Sequence, residues 1–201
     1  MILLAIVIAG YALSYFRFAD TDFLRNKDAA LRSSVLWQIT FYLHVGFGSL
    51  ALLLGGFQFI ATIRDRFSLL HRRFGIVYVA SVFVSSICGF LIALFADAGP
   101  IAKTGFAFLA IFWFATNLKA YREIRNGRIM QHRSWMIRNF SLTFAAVTLR
   151  IILPVEIAVL GMNFPDAYRI VAWACWVPNL LVAELLVYRL TAPLRRAEAV
   201  A

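Results

Sequence analysis

The sequence is poor in the residues and motifs from which soluble enzymes build catalytic and metal sites. Its 201 residues include two cysteines and three histidines, and no HExxH, HxxxH or paired-cysteine spacing occurs. Catalytic triads, glycine-rich phosphate loops and Rossmann fingerprints are absent as well, since the Gly46-Phe47-Gly48 run lies inside an apolar stretch. These absences argue against motif-defined enzymes and metalloproteins. We therefore predict neither a catalytic residue nor a metal site.

The sequence also has little charge, which leaves room for long apolar runs. Only 15% of the residues are charged, whereas 62% are hydrophobic. A helix needs about 20 mostly apolar residues to cross the hydrocarbon core of a bilayer. Runs of this kind cover Val35–Ile63, Phe74–Ala96, Ile101–Leu118, Trp135–Leu160 and Tyr168–Tyr188. Because no segment alternates like a barrel strand, we predict an all-α, polytopic transmembrane helix bundle of five to six spans.

The number of spans depends on the N-terminal stretch Ile2–Phe16. This stretch is shorter than the other runs and is followed at once by Arg17, so a sixth span, a signal peptide and an interfacial helix all remain open. A cleaved signal peptide has basic residues before its apolar run and a small-x-small exit, and neither is present. We therefore favour a retained span. The expected organisation is a single transmembrane domain over 1–201, with an N-terminal span and external segment at 1–34, a five-span core at 35–190 and a cytoplasmic tail at 191–201.

Basic residues outnumber acidic ones by 20 to 10, and their positions indicate orientation rather than nucleic-acid binding. Short connections that retain Lys and Arg stay in the cytoplasm. Such clusters follow the first, third and fifth core spans: Arg64, Arg66, Arg72 and Arg73; then Arg122, Arg125, Arg128 and Arg133; then Arg189, Arg195 and Arg196. The connections Asp97–Pro100 and Gly161–Ala167 contain no Lys or Arg. We predict a multi-pass protein of the bacterial inner membrane with a cytoplasmic C-terminus and no nucleic-acid partner.

Small and polar residues recur every three or four positions along the first core span: His44, Gly48, Ala51, Gly55, Gln58 and Thr62. That spacing places them on one helix face. The second core span repeats the pattern with Ser81, Ser85 and Gly89. Since small residues let helices approach closely in a membrane, we predict tight packing through these faces, with His44 turned toward the bundle interior.

The span Trp135–Leu160 carries polar groups on two faces and should therefore lie centrally. At a rise of 1.5 Å per residue, Arg150 lies roughly 20 Å from the cytoplasmic end of its span. His44 lies roughly 13 Å from the external end of its own span by the same rise. Because a buried arginine needs acceptors, we predict that His44, Arg150 and Glu156 belong to one buried polar cluster in the outer half of the membrane.

Two similar His-Arg pairs precede the second and fourth core spans, which run in parallel from the cytoplasm outward. Helix N-termini present free backbone N–H groups and partial positive charge, so added arginines make an anion site. The predicted ligand-binding residues at this inner rim are His71, Arg72, His132, Arg133, Arg138 and Glu184, with Glu184 as the counter-charge to an arginine. A lipid phosphate is the simplest anion for such a site. The alternative is that the arginines only anchor the helices among headgroups.

The order and spacing of several segments resemble a bacterial membrane family catalogued as domain of unknown function 2306. The resemblance runs from about His44 to Pro154 and rests on four segments: His44–Phe59, Leu70–Gly75 with Tyr78, Gly105-Phe106 with Trp113 and Thr116, and His132–Arg138 leading into Leu142–Arg150. The sequence departs from the family pattern at Gly56, where proline is usual, and at Ile76, where an arginine often follows Gly75. The resemblance implies a membrane protein and no established activity.

Three classes of function remain open for such a bundle. We favour a non-catalytic binding or accessory module that holds an anionic lipid, a quinone or a similar amphiphile, alone or as a subunit of a larger respiratory or photosynthetic complex. A b-type haem oxidoreductase would need facing axial histidines, whereas His44 lies about 20 Å in depth from His71 and His132. A small proton or anion transporter would use His44, Arg150 and Glu156 as a relay, although no inverted repeat is evident. Haem b and quinone thus remain the cofactor candidates.

Overall fold

The computed structural model describes residues 2–12 and 28–198, and these residues form helices joined by short connections, without a strand. The helices are α1 Ile2–Ala12, α2 Ala29–Ser33, α3 Val35–Gln58, α4 Ala61–Arg66, α5 Ser68–Ala93, α6 Pro100–Arg125, α7 Ile129–Thr143, α8 Ala145–Ala158, α9 Phe164–Ala174 and α10 Val177–Glu198. Five segments are long and apolar enough to cross a membrane: Val35–Gln58, Ser68–Ala93, Pro100–Arg125, Ile129–Ala158 and Phe164–Ala192. The prediction of an all-α polytopic bundle is confirmed.

The helices alternate in direction, which gives the bundle two chemically different ends. One end, called the basic end here, carries Arg64, Arg66, Arg72, Arg73, Arg122, Arg125, Arg128 and Arg133. The other end carries the loops after α5 and α8 and is called the Asp97 end. At that end Arg169 donates to the Ala98 carbonyl at 2.8 Å and pairs with Asp166 at 2.8 Å. Gly99, with φ +85°, permits the sharp turn into α6.

Helices α3 and α5 pack antiparallel through the small residues that the sequence singled out. A Cβ atom on Gly89 would lie 2.9 Å from the His44 imidazole, and one on Gly48 would lie 3.1 Å from Ser85 Oγ. A Cβ on Gly55 would lie 2.7 Å from the Tyr78 ring of α5. Positions later in α3 therefore contact positions earlier in α5, as in an antiparallel pair of helices. A larger residue at these positions would force the helices apart.

The last two spans each consist of two helices separated by a break. In the fifth span Pro178 has no N–H for the Ala174 carbonyl, and the chain turns at Cys175 and Trp176 between α9 and α10. In the fourth span α7 gives way to α8 at Phe144, whose N–H still reaches the Phe140 carbonyl at 2.8 Å. This break adjoins a buried polar network that is described below.

The N-terminal helix α1 lies against α3 and α8. Its buried face consists of alanines, and Ala5 packs with Leu52 and Val147. The described helix is shorter than a membrane span. Residues 13–16 of the predicted span Ile2–Phe16 lie outside the described residues, as does most of the external segment that was expected to follow it. The sixth span therefore stays a prediction.

Candidate functional site

His71 lies in the first turns of α5 at the basic end, where one of its ring nitrogens is held by α3. The Gln58 side-chain amide is assigned the orientation in which its oxygen accepts a hydrogen bond from Gly75 N at 3.2 Å. In this orientation the amide nitrogen faces two acceptor atoms of His71. That nitrogen donates to His71 Nδ1 at 2.8 Å and to the His71 carbonyl at 3.2 Å. The bonds join the two helices across the α3–α5 connection and fix the imidazole in place.

His132 lies at the corresponding position of α7 and is held by the preceding helix. Its Nδ1 lies 2.8 Å from the Ala120 carbonyl oxygen of α6, across the turn made by Asn126, Gly127 and Arg128. Gly127, with φ +73°, permits this turn. Each histidine therefore uses one nitrogen to fasten a helix connection. In the part of the chain that the structure describes, Nε2 of neither ring has a hydrogen-bond partner.

The two histidines come together at the basic end although 61 positions separate them in the chain. They are close enough for the charge on one imidazole to act on the other. Asp65 of α4 lies in the same region, since both His71 and Arg133 act on its carboxylate. The Arg64 guanidinium, which donates to Asp65 at 2.8 and 3.1 Å, lowers the pKa of that carboxyl, and the charges of Arg133 and His71 lower it further. This group is therefore ionised at neutral pH.

Four of the six predicted ligand residues thus begin the parallel helices α5 and α7. Arg72 and Arg133 are exposed and make no hydrogen bond or ion pair with the described residues. Neither helix has a side chain that caps its first turn. Backbone N–H groups and two guanidinium groups are consequently free to meet an anion.

The other two predicted ligand residues, Arg138 and Glu184, pair with each other. Arg138 Nε and Nη2 donate to the two carboxylate oxygens at 2.6 and 2.7 Å, which is a bidentate bond between α7 and α10. The Arg138 guanidinium also lies 4.6 Å from the centre of the Trp135 ring, which Lys119 Nζ approaches at 4.5 Å. The predicted counter-charge therefore serves Arg138, and no described contact joins this pair to the histidines.

Two members of the predicted outer cluster, His44 and Arg150, lie close enough for the charge of one to act on the other. His44 Nδ1 lies 2.8 Å from the Ser85 carbonyl, and the charge of Arg150 acts on the imidazole. Arg150 Nη1 donates to the Ala146 carbonyl at 2.9 Å, and its guanidinium lies 5.8 Å from the Tyr11 ring centre of α1. Helix α1 thus covers the arginine.

Glu156, the third predicted member, faces elsewhere. It lies seven positions beyond Leu149 and four beyond Ile152, and those residues pack against the main core. The side chain is 6% exposed, and Oε2 has no hydrogen-bond partner among the described residues. No described bond joins Glu156 to His44. The described contacts therefore do not join Glu156 to the other two members of the predicted cluster.

Sequence reasoning did not identify the polar network at the centre of the bundle. Tyr78 Oη donates to Asn139 Oδ1 at 2.6 Å and lies 2.9 Å from Thr143 Oγ1. Trp113 Nε1 donates to Thr143 Oγ1 at 2.9 Å, and Asn139 Nδ2 donates to Thr116 Oγ1 at 2.9 Å. The network joins α5, α6 and α7 next to the break at Phe144. The feature of the sequence that could have revealed this network is the presence of polar residues on two faces of the fourth span.

Comparison with known proteins identifies a family. The profile of a family described as predicted membrane proteins, DUF2306, matches residues 41–187. This range contains all three histidines and extends beyond the segments that carried the resemblance in the sequence. No curated protein and no solved structure matches the chain.

Proposed function

The chain belongs to the DUF2306 family of predicted membrane proteins, and we propose that it is a non-catalytic binding protein that holds an anionic lipid by its headgroup. The headgroup lies at the basic end, between the first turns of α5 and α7. On the positive-inside rule this end faces the cytoplasm of a bacterial inner membrane. The lipid chains then lie along the apolar outer faces of the bundle.

The observation that carries the proposal is that two His-Arg pairs begin parallel helices at the basic end, with the imidazoles close enough for the charge of His132 to act on His71. Each histidine is held by one nitrogen, so the other nitrogen has a defined position rather than the freedom of a surface side chain. The adjacent Arg72 and Arg133 form no ion pair with the described residues, although the charge of Arg133 acts on the Asp65 carboxylate. A phosphate placed there would receive hydrogen bonds from charged donors, which are roughly twice as strong as neutral ones.

The opposing interpretation is that these arginines only keep the connection in the cytoplasm. The double variant Arg72→Gln/Arg133→Gln separates the two ideas. Arg122→Gln/Arg125→Gln is the matched control, because it removes the same charge from exposed positions at the same end. Each protein is purified in detergent, and bound lipid is counted per protein by mass spectrometry.

We expect the first variant to lose most of its anionic lipid and the control to keep it. Loss of two charge-assisted contacts corresponds to roughly a tenfold or greater drop in retention. Equal lipid content in both variants and the parent would refute the site. Unchanged far-UV circular dichroism in both variants shows that the comparison concerns binding.

A further inference from the structure

The outer face of the fifth span carries a groove at the break between α9 and α10. Its volume is about 510 Å³, and it is lined by Arg169, Ile170, Trp173, Ala174, Val177 and Pro178. These positions follow one another in steps of one and three, so they form a single stripe along the span. The face of an uninterrupted helix is convex. We therefore attribute the groove to the turn at Cys175 and Trp176, where the regular helix is interrupted.

The aromatic wall of the groove is fixed from behind by α6. Trp173 Nε1 donates to the Ile101 carbonyl at 3.1 Å. The ring centre of Trp173 lies 5.9 Å from that of Phe108 and 5.6 Å from that of Trp176. Gly105 allows this close approach, because a Cβ there would lie 2.9 Å from Trp173 Nε1. The indole is thus held by hydrogen bonding and packing, and the groove is largely preformed, as ligand sites usually are.

Arg169 lines the groove on the side of the Asp97 end, and its guanidinium is held in one orientation. Nε donates to the Ala98 carbonyl at 2.8 Å, and Nη1 pairs with Asp166 Oδ1 at 2.8 Å. Among the described residues Nη2 has no hydrogen-bond partner. A guanidinium held in this way presents its remaining donor to a phosphate oxygen. Because Asp166 balances the charge of Arg169, this pair has no net charge.

We propose that the groove binds an acyl chain of phosphatidylethanolamine from the leaflet at the Asp97 end. The phosphate accepts a hydrogen bond from Arg169 Nη2, and the primary ammonium pairs with the half-exposed Asp166 carboxylate. The groove lies within Phe164–Ala192, a segment long and apolar enough to cross a membrane, so hydrocarbon surrounds it. Either a lipid chain or another helix fills an apolar groove at this depth. The arginine–carboxylate pair at its rim favours the lipid, since it complements both charges of a zwitterionic head.

This site goes beyond the proposed function, because it lies at the opposite end of the bundle and selects a different headgroup. An anionic lipid lacks the ammonium and would bring a second negative charge to the Asp166 carboxylate. Phosphatidylcholine has an ammonium without an N–H and cannot donate a hydrogen bond to that carboxylate. Phosphatidylethanolamine satisfies both members of the pair.

The test measures the lipid that the full-length protein retains. The protein is placed in phosphatidylcholine nanodiscs that contain equal amounts of phosphatidylethanolamine and phosphatidylglycerol, extracted into mild detergent and examined by native mass spectrometry. Ala174→Phe fills the groove. Val182→Phe is the matched control, because Val182 is exposed on α10 outside the groove. We expect the parent and the control to retain phosphatidylethanolamine and Ala174→Phe to lose it.

A second pair of variants tests the headgroup contact. Arg169→Gln removes the guanidinium, whereas Lys103→Gln removes an exposed basic side chain at the same end of the bundle and outside the groove. We expect about a tenfold drop in retained phosphatidylethanolamine for Arg169→Gln, which is the effect of one charge-assisted hydrogen bond, and no drop for the control. Far-UV circular dichroism checks that each variant is folded. This comparison decides the matter even if Ala174→Phe fails to fold.

A parent protein that retains no phosphatidylethanolamine overturns the inference, as does equal retention by the parent and Arg169→Gln. A parent that is dimeric in detergent and becomes monomeric in Ala174→Phe with unchanged lipid also overturns it, because a second copy of the chain then occupies the groove. The Arg72→Gln/Arg133→Gln variant should keep its phosphatidylethanolamine while it loses anionic lipid. The two sites can therefore fail separately.

Discussion

Removing one hydroxyl from the central polar network should measurably weaken the fold. Tyr78 is 0% exposed, and its Oη supplies the 2.6 Å hydrogen bond to Asn139 Oδ1. In Tyr78→Phe that oxygen has no donor, while Thr143 keeps its bonds to Trp113 and to the Asn139 carbonyl. An unsatisfied buried acceptor is unfavourable by about 1–3 kcal/mol, but polar bonds in membrane proteins average nearer about 0.6 kcal/mol. We expect a loss of about 1–2 kcal/mol in the free energy of unfolding.

The assay is reversible unfolding in mixed micelles with increasing sodium dodecyl sulfate, followed by far-UV circular dichroism. Tyr121→Phe is the matched control, because it removes the same hydroxyl from an exposed ring at the basic end. This control should change the free energy of unfolding by less than about 0.5 kcal/mol. In an Asn139→Leu background, Tyr78→Phe should have at most half of its effect, since the acceptor is gone.

A Tyr78→Phe variant as stable as Tyr121→Phe would refute this reasoning. It would mean that Asn139 finds another donor after the hydroxyl is removed. A fully additive double variant would also contradict it, because additivity means that the two side chains do not interact.

Four further predictions concern topology, the outer cluster, haem and the charge of the basic end. Asn126→Cys should be protected from an impermeant maleimide in intact cells and Leu160→Cys should react, as the positive-inside rule requires. The reverse labelling pattern would show that the basic end faces outward. Arg150→Leu should lower the free energy of unfolding by about 1 kcal/mol through loss of the Tyr11 contact, against about 0.3 kcal/mol for Arg64→Leu, and equal losses would contradict the role of α1 as its cover. The purified protein should show no Soret band, because His44 lies within α3 whereas His71 and His132 lie at the basic end, which leaves His44 about 20 Å from either of them in depth; a stoichiometric band lost on replacing a histidine would establish haem binding. Asp65→Asn should raise anionic-lipid retention by less than about twofold, since the lowered pKa of this carboxyl keeps it negative at neutral pH, and a fall in retention would count against the proposed site.

The spans were predictable from sequence, whereas their ends were less so. A predicted span began at Phe74, but α5 begins at Ser68; another ended at Leu118, but α6 continues to Arg125. Hydropathy detects the part of a helix that lies in hydrocarbon. Beyond it, backbone hydrogen bonds and good helix formers such as arginine continue the helix among headgroups.

The site was predicted in part for a similar reason. His71 and His132 were placed together because both begin parallel helices, which is a statement about depth along the membrane normal. Depth does not tell how each helix is rotated about its axis. Glu156 was therefore grouped with Arg150, although it faces the core, and Arg138 was grouped with the histidines, although it pairs with Glu184.

The order of residues along the chain was enough to predict the membrane helix bundle, the alternation of its ends and the small-residue faces that pack α3 against α5. Each of these follows from local physics, because lipid requires apolar residues and internally bonded helices wherever the chain crosses. Which polar groups meet became known from the packed bundle: the Tyr78 network, the choice of Arg138 as the partner of Glu184, and the contacts of the His71 and His132 rings with Gln58 and the Ala120 carbonyl. Such contacts join helices that are distant in the chain, and they depend on helix rotation and offset, which no periodicity along one helix encodes.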